Sequence, residues 1–293
     1  MNNQLKAYGF GLGAVLIWST VASAFKLSLR YLSPTELLFY SVLCSTCLLM
    51  VIVLLQGKLR LLMRAGGNQW RVSFLFGLLN PFLYYTVLFR AYDLLPAQQA
   101  QPINFTWAIT LSLLAVPLLG QKLNRYDLIA IFTSYFGVYI ISTNGELFSF
   151  RFENMSGVIL ALSSTVIWAL YWIFNTKDGR DPVVGLCMNF VISLGFVSLL
   201  LWFDGGFRLI PLKGFAGALY VGCFEMGISF VLWLQALKYT NSTAKIANLI
   251  FLSPFISLIL IHLLVGEEIM PSSLIGLIFI IGGISVQSFG KKT

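Results

Sequence analysis

The chain has 293 residues, of which 58% are apolar and only 10% charged. Its 19 basic and 11 acidic side chains leave a net charge of +8, and the mean hydropathy is +0.85. A soluble domain carries about 25% charged residues and still leaves roughly a quarter to a third of its surface wet, so this composition excludes soluble enzymes. The basic residues are scattered over short connectors, which excludes a nucleic-acid binder.

Apolar runs recur along the chain, each near the ~20 residues that a spanning helix needs. They predict an all-α polytopic membrane protein of ten spans, over 6–28, 34–55, 71–92, 96–118, 125–143, 155–175, 183–203, 214–237, 241–264 and 271–289. The breaks carry turn chemistry, as at Ser33-Pro34, Gly66-Gly67-Asn68, Asn144-Gly145, Asp178-Gly179 and Gly205-Gly206. Lys6, the first apolar run and Ala22-Ser23-Ala24 imitate a secretory signal. The run is long, however, and a matching helix recurs in mid-chain, where no signal acts.

Lysine and arginine set the expected orientation. With the N-terminus cytoplasmic, the inner segments hold Lys6, Lys58, Arg60, Arg64, Arg71, Lys122, Arg125, Lys177, Arg180, Lys238, Lys291 and Lys292. The outer segments hold Arg30, Arg90, Arg151, Arg208 and Lys213. Twelve against five places both termini in the cytoplasm.

The sequence repeats itself. Val15-Leu16-Ile17-Trp18-Ser19 in span 1 matches Thr165-Val166-Ile167-Trp168-Ala169 in span 6, and a proline opens the span after each, Pro34 and Pro182. Leu119-Gly120-Gln121-Lys122-Leu123 matches Val265-Gly266-Glu267-Glu268-Ile269, each before a final span with a glycine, Gly137 or Gly283. These matches predict two homologous halves, 1–145 and 150–293, of five helices each. Five is odd, so the second half is inverted, the arrangement of secondary transporters with alternating access.

Polar residues within spans need a reason, because an ionised carboxylate at mid-membrane costs roughly 2.5–3.5 kcal/mol. Glu225 lies halfway along span 8, and its counterpart by repeat is Asn80, halfway along span 3. Glu225 reads as a proton-coupling site or as the counter-ion of a substrate amine; a neutral carboxyl bonded to a neighbouring helix is the bland alternative. On α-helical spacing Asn80 shares a face with Tyr84, and Glu225 with Ser229, while Pro81 can kink span 3. The first halves of spans 4 and 9 are polar, with Gln98, Gln99, Gln101 and Asn104 in one and Asn241, Ser242, Thr243, Lys245 and Asn248 in the other. Asn104 and Asn248 read as cavity-lining, Gln98 and Asn241 as interhelical glue. Trp18, Trp107 and Trp168 lie deep enough to wall a cavity that suits flat or cationic substrates, with plain packing an equal reading. Near the outer span ends, Glu36 is a candidate partner for Lys26 or Arg90.

Four cysteines and one histidine are too few for a metal cluster, and Cys44-x-x-Cys47 reads as helix packing rather than a redox pair. No phosphate loop, His-Glu-x-x-His motif or selectivity-filter loop occurs. The expectation is therefore no catalytic residue, no metal and no cofactor: a carrier with a small-molecule substrate, in contact with membrane lipid, driven by a proton or substrate gradient.

Ten spans, two repeats, Trp18 and Trp168, and the paired Gly120-Gln121 and Gly266-Glu267 breaks together resemble the drug/metabolite transporter superfamily, and within it the EamA-type transporters, over nearly the whole chain. Ile17-Trp18-Ser19-Thr20 and Asn104-Phe105-Thr106-Trp107 resemble its aromatic amino acid exporter branch. Ala108 stands where that branch often has proline, and Gln121 where the family usually has glutamate. The resemblance implies a carrier of the bacterial inner membrane, with a central cavity between its halves, that exports amino acids or related metabolites. Export of cationic drugs and metabolite uptake are alternatives within the same class. The residues expected to bind substrate are Trp18, Asn80, Tyr84, Asn104, Trp107, Trp168, Glu225, Ser229 and Asn248.

Overall fold

The computed structural model describes residues 3–120, 122–148, 154–175, 177–240, 246 and 248–290. Gln121, Arg151, Asn241, Ser242, Thr243, Lys245, Lys291 and Lys292, and the side chain of Asn248, lie outside the described residues. Among those described, the structure is helical, with no strand.

The helices are α1 (Asn3–Leu29), α2 (Pro34–Leu55), α3 (Leu59–Met63), α4 (Gly67–Leu94) and α5 (Ala97–Leu119). There follow α6 (Arg125–Ser142), α7 (Met155–Asn175), α8 (Pro182–Phe203), α9 (Leu212–Tyr239), α10 (Leu249–Val265) and α11 (Pro271–Gly290). Seven of these are long and apolar enough to cross a membrane, namely α1, α2, α4, α5, α7, α8 and α9. Shorter apolar helices follow in α10 and α11. The chain is a multi-pass membrane protein. The five-residue α3 was not foreseen, and α4 starts before the expected position 71.

Local chemistry fixes the helix ends. Ser33 and Glu36 form a reciprocal capping box at α2, with Pro34 in the first turn, where its missing N–H costs nothing. Asn124 and Asp127 do the same for α6, and Asp181 caps α8 ahead of Pro182. At the end of α2, Gly57 takes φ +66° while the Lys58 amide reaches back to the Val53 carbonyl. This Schellman stop turns the chain sharply out of the helix.

The helices pack into two compact units. The first comprises Met1–Phe89 and Asp178–Leu260, the second Arg90–Lys177 and Ile261–Thr293. Each takes helices from both of the sequence halves 1–145 and 150–293. Small residues allow the close approaches. In the first unit, Ala7, Ala14 and Val15 of α1 pack against Trp233 and Ala236 of α9 and against Ile246. A Cβ on Gly77 of α4 would lie 2.5 Å from the Asn189 carbonyl of α8.

In the second unit α6 and α11 run antiparallel in close contact, as the pairs Gly137–Gly276, Ser134–Ile280, Ala130–Gly283 and Asp127–Gln287 show. A Cβ on Gly137 would lie 2.5 Å from the Gly276 carbonyl, so only glycine fits there.

Candidate functional site

Two membrane helices of the first unit change winding in mid-span. In α4 a π-helical segment runs over Leu78–Leu83, and inside it Asn80 leaves the helical region altogether, at φ −143° and ψ 121°. Pro81 is the cause, because it has no N–H to donate and forbids helical backbone in the residue before it. The Asn80–Pro81 peptide bond is cis. In α9 a second π-helical segment covers Val221–Ile228 and contains Glu225. Wide turns of this kind concentrate at functional sites, since they re-aim side chains and loosen the backbone ladder.

Glu225 is buried, and its Oε1 accepts a 2.9 Å hydrogen bond from the hydroxyl of Tyr85. Its Oε2 is buried with no hydrogen-bond partner among the described residues. Ser229 donates its hydroxyl to the backbone carbonyl of Glu225 at 2.5 Å, which ties the π-turn to the following α-helix. Tyr85 is fully buried and boxed by rings, with Phe89 at 5.3 Å, Tyr84 at 4.8 Å and Phe25 at 6.4 Å between centroids. Both amide atoms of Asn80 are buried and have no hydrogen-bond partner among the described residues. Unpaired polar atoms in a low-dielectric interior are costly, and among the described residues two at Asn80 and one at Glu225 lie at the re-wound centres of α4 and α9.

The expected face shared by Asn80 and Tyr84 is corrected here. That expectation assumed continuous α-helix, and the helix breaks at Asn80; Tyr85, which the sequence did not single out, is the residue that donates to Glu225. The signal in the sequence was Asn80-Pro81 itself: a proline-broken helix loses its register. Trp18 of α1 lies 5.2 Å from Trp233 and 6.3 Å from Phe230 between ring centroids, so it joins an aromatic group on α9. Thr20, two residues on, shares a 2.6 Å hydrogen bond with the hydroxyl of Tyr220, and the Tyr220 ring stacks on Phe224 beside Glu225 in sequence.

The second unit holds Asn104, Trp107 and Trp168, whereas Asn248 falls in the first. The Asn104 amide donates to Ser164 of α7 at 2.9 Å, and Thr110 bonds Thr165 at 2.9 Å, so this face of α5 holds α7 through polar contacts. Trp107 is partly buried where α5 restarts after a turn at Thr106. Trp168 stacks on Tyr171 at 5.6 Å and meets Trp172 edge-on at 5.9 Å. Gln98 behaves as glue: its amide nitrogen donates to the Glu268 carbonyl and its oxygen accepts from the Met270 amide. Glu267 accepts from the backbone amides of Ala97 at 2.8 Å and Gln98 at 3.1 Å, and so caps α5 from 170 residues away.

Two charged clusters lie at the ends of the first unit. Glu36 accepts from Arg208 at 2.5 and 3.1 Å, a partner that was not among the expected Lys26 and Arg90. The guanidinium of Arg180 spends its donors on Asp178, Ser73, Asn189 and the Gln69 carbonyl, and sits 5.6 Å from the centre of the Phe76 ring. Burial alone would raise the Asp178 carboxyl, but the hydrogen bonds and charge of Arg180 outweigh it and hold the group below its ordinary value. The four cysteines are free thiols. Among the described residues no group of histidine, cysteine and carboxylate side chains is placed to hold a metal ion.

Buried polar groups at re-wound helix centres, walled by aromatic rings within a lipid-embedded helical body, define a membrane transport protein. The chain belongs to the EamA-like transporter family, whose profile matches residues 5–143 and 155–289. It is 26% identical to an uncharacterised transporter of Clostridium kluyveri over 98% of this chain and 94% of that one. It is 23% identical to the aromatic amino acid exporter YddG of Ancylobacter novellus, over 95% of each. A solved crystal structure shares its fold with a TM-score of 0.68 at 20% identity, over 98% of this chain and 97% of the other. The substrate of the family is a small molecule, and the sequence-based expectation of a carrier agrees with that.

Proposed function

We propose that the chain is a secondary active transporter of the bacterial inner membrane that exports small amphipathic metabolites, amino acids first among them, by proton-coupled alternating access. Both termini face the cytoplasm, and ten spans form two inverted five-helix repeats. Two separate matches to one family profile, over 5–143 and 155–289, support the repeat. So do the π-helical segments at Asn80 and Glu225, which fall at corresponding places in the two halves.

The observation that carries the mechanism is the Glu225 carboxyl, with one oxygen held by Tyr85 and the other buried without a hydrogen-bond partner among the described residues. A group of that kind binds a proton or a substrate ammonium on its free oxygen, and binding biases the carrier toward one of its open states. The aromatic groups of Trp18, Phe230 and Trp233 supply stacking and cation–π surface for an amphipathic substrate. Asn80, Tyr84 and Ser229 complete the substrate-binding set in this unit, with Asn104, Trp107, Trp168 and Asn248 as further binding residues. The same carboxyl oxygen among rings supports a second reading, export of cationic drugs.

Purified protein in liposomes tests this by counterflow of labelled phenylalanine, with and without a pH gradient, beside Glu225→Gln. Saturable counterflow whose pH sensitivity is lost in the variant supports an amino acid carrier with Glu225 as its proton site. Counterflow that is unchanged in Glu225→Gln removes that role. Competition by cationic drugs but not by amino acids moves the assignment to the second reading.

A further inference from the structure

The connector between α2 and α4 holds an unusual combination of side chains. The Schellman stop at Gly57 ends α2, and α3 starts two residues later as a single short elbow helix. Leu55 is 82% exposed, Leu61 55% and Met63 77%, so the connector turns apolar side chains outward. Arg60, Arg64 and Arg71 are exposed beside them. Arg60 and Arg64 are linked by a backbone bond from the Arg64 amide to the Arg60 carbonyl, which puts the two guanidinium stems one helical turn apart on one ridge. Leu59 and Met63 form the adjacent ridge.

Neighbouring basic residues are neutralised within the protein. Lys58 pairs with Asp181 at 2.7 Å, and Arg180 with Asp178 at 2.7 Å. Arg60, Arg64 and Arg71 have no acidic partner among the described residues. Three guanidiniums without counter-ions, next to outward leucine and methionine, are complementary to an acyl chain end that carries an anionic head.

We propose that α3 and its flanks form a binding surface for anionic phospholipid, with Leu59 and Met63 at the acyl boundary and Arg60, Arg64 and Arg71 on the headgroup phosphates. Apolar side chains reach only the headgroup boundary when a short helix lies on a membrane. Each nearby arginine adds attraction to the anionic leaflet, and guanidinium matches phosphate in a bidentate way that ammonium does not. Arginines of connectors also steer topology during insertion. A lipid site differs in being a property of the finished protein.

The test uses the full chain, purified in neutral detergent, and counts lipids retained in intact-mass measurements. Dioleoylphosphatidylglycerol, dioleoylphosphatidylcholine and inorganic phosphate are the probes. Wild type is expected to retain phosphatidylglycerol in preference to phosphatidylcholine, with the preference weakened by salt and not reproduced by phosphate alone. Arg60→Gln with Arg64→Gln lowers that preference about thirtyfold, and Arg60→Lys with Arg64→Lys restores part of it. Lys58 and Arg71 remain in the variant to keep the topology. No preference in wild type overturns the proposal without recourse to a variant. Equal retention by the glutamine variant also overturns it, because the lipid then sits elsewhere. So does a change in particle mass with lipid retention unaltered, because the surface then seats a second copy of the chain.

Discussion

The hydroxyl of Ser134 donates to the Ile280 carbonyl at 3.2 Å across α6 and α11, and these residues are 146 positions apart in the sequence. The same offset carries Gly137 onto Gly283, the glycines of the two final spans. A shift by that offset therefore turns the Ser134–Ile280 contact into itself. It also exchanges the two closest backbone approaches, Gly137 on Gly276 and Gly283 on Ala130. A two-fold axis passing between antiparallel α6 and α11 has this consequence, which supports the inverted repeat proposed above.

The glycines of this contact differ sharply in what a side chain would meet. A Cβ at Gly137 falls 2.5 Å from the Gly276 carbonyl, and one at Gly283 falls 2.8 Å from the Ala130 carbonyl, both backbone atoms that do not yield easily. Gly137→Ala and Gly283→Ala are each expected to cost about 1–3 kcal/mol. Gly282 has nothing within 4 Å of its Cβ position, so Gly282→Ala should gain about 0.5–1 kcal/mol by relieving the entropy of a helical glycine. Thermal unfolding of the purified variants checks this, and equal shifts at positions 282 and 283 would remove the steric argument.

Glu267 gives the glycine–glutamate break a physical reason. Helix α5 begins after Pro96 and has no side-chain cap of its own, and the Glu267 carboxylate fills that place on the amides of Ala97 and Gln98. A carboxylate at a helix N-terminus gains from both the free N–H groups and the helix dipole. Glu267→Ala is expected to lose about 0.5–2 kcal/mol, and Glu267→Gln to keep at most one of the two amide hydrogen bonds, because its NH2 cannot accept, and to lose the charge. If alanine and glutamine unfold at the wild-type temperature, the contact contributes nothing.

Much of this was legible in the sequence, and the exceptions have identifiable causes. Spans were legible because lipid demands long apolar runs. The caps at Ser33, Asn124 and Asp181 follow from local residue types. Glu225 stood out as a carboxylate in a greasy run. Tyr85 did not, because its place depends on how Pro81 breaks α4, and a periodic reading assumes an unbroken helix. The Glu267 cap and the Glu36–Arg208 pair join residues about 170 apart, a distance that no local pattern encodes. Asn104 has the composition of a cavity residue, and its hydrogen bond to Ser164 on another helix is one that no local pattern encodes.

The Tyr85–Glu225 bond makes a quantitative prediction of its own. Tyr85→Phe keeps the ring among Phe25, Tyr84 and Phe89 but leaves Glu225 Oε1 without a donor. A buried polar atom deprived of its partner costs about 1–3 kcal/mol. In combination with Glu225→Met, which removes the acceptor at similar size, the two losses should not add, and the coupling should lie at about 0.5–3 kcal/mol. Denaturant unfolding of the four proteins measures it. Strict additivity would mean that the hydroxyl and the carboxyl do not interact in the folded protein.

Asp181 sets an acid limb on stability. Burial alone would raise its carboxyl, but the Lys58 ammonium and the amides of Val184 and Val183 outweigh that, so it titrates below its ordinary value. A lowered value in the folded state means that the ionised form is the one folding favours. Its contribution is fully present above the unfolded value of about 3.9 and is lost as pH falls through the folded one. Asp181→Asn retains a side-chain oxygen to cap α8 but gives up the ion pair, worth about 0–1 kcal/mol for a half-exposed partnership. The variant should therefore be slightly less stable than wild type at pH 6 and should lose less stability than wild type on going below about pH 4. Unfolding temperatures measured from pH 6 to pH 3 decide it. Parallel curves would show that the Lys58–Asp181 pair does not contribute to the acid sensitivity of the fold.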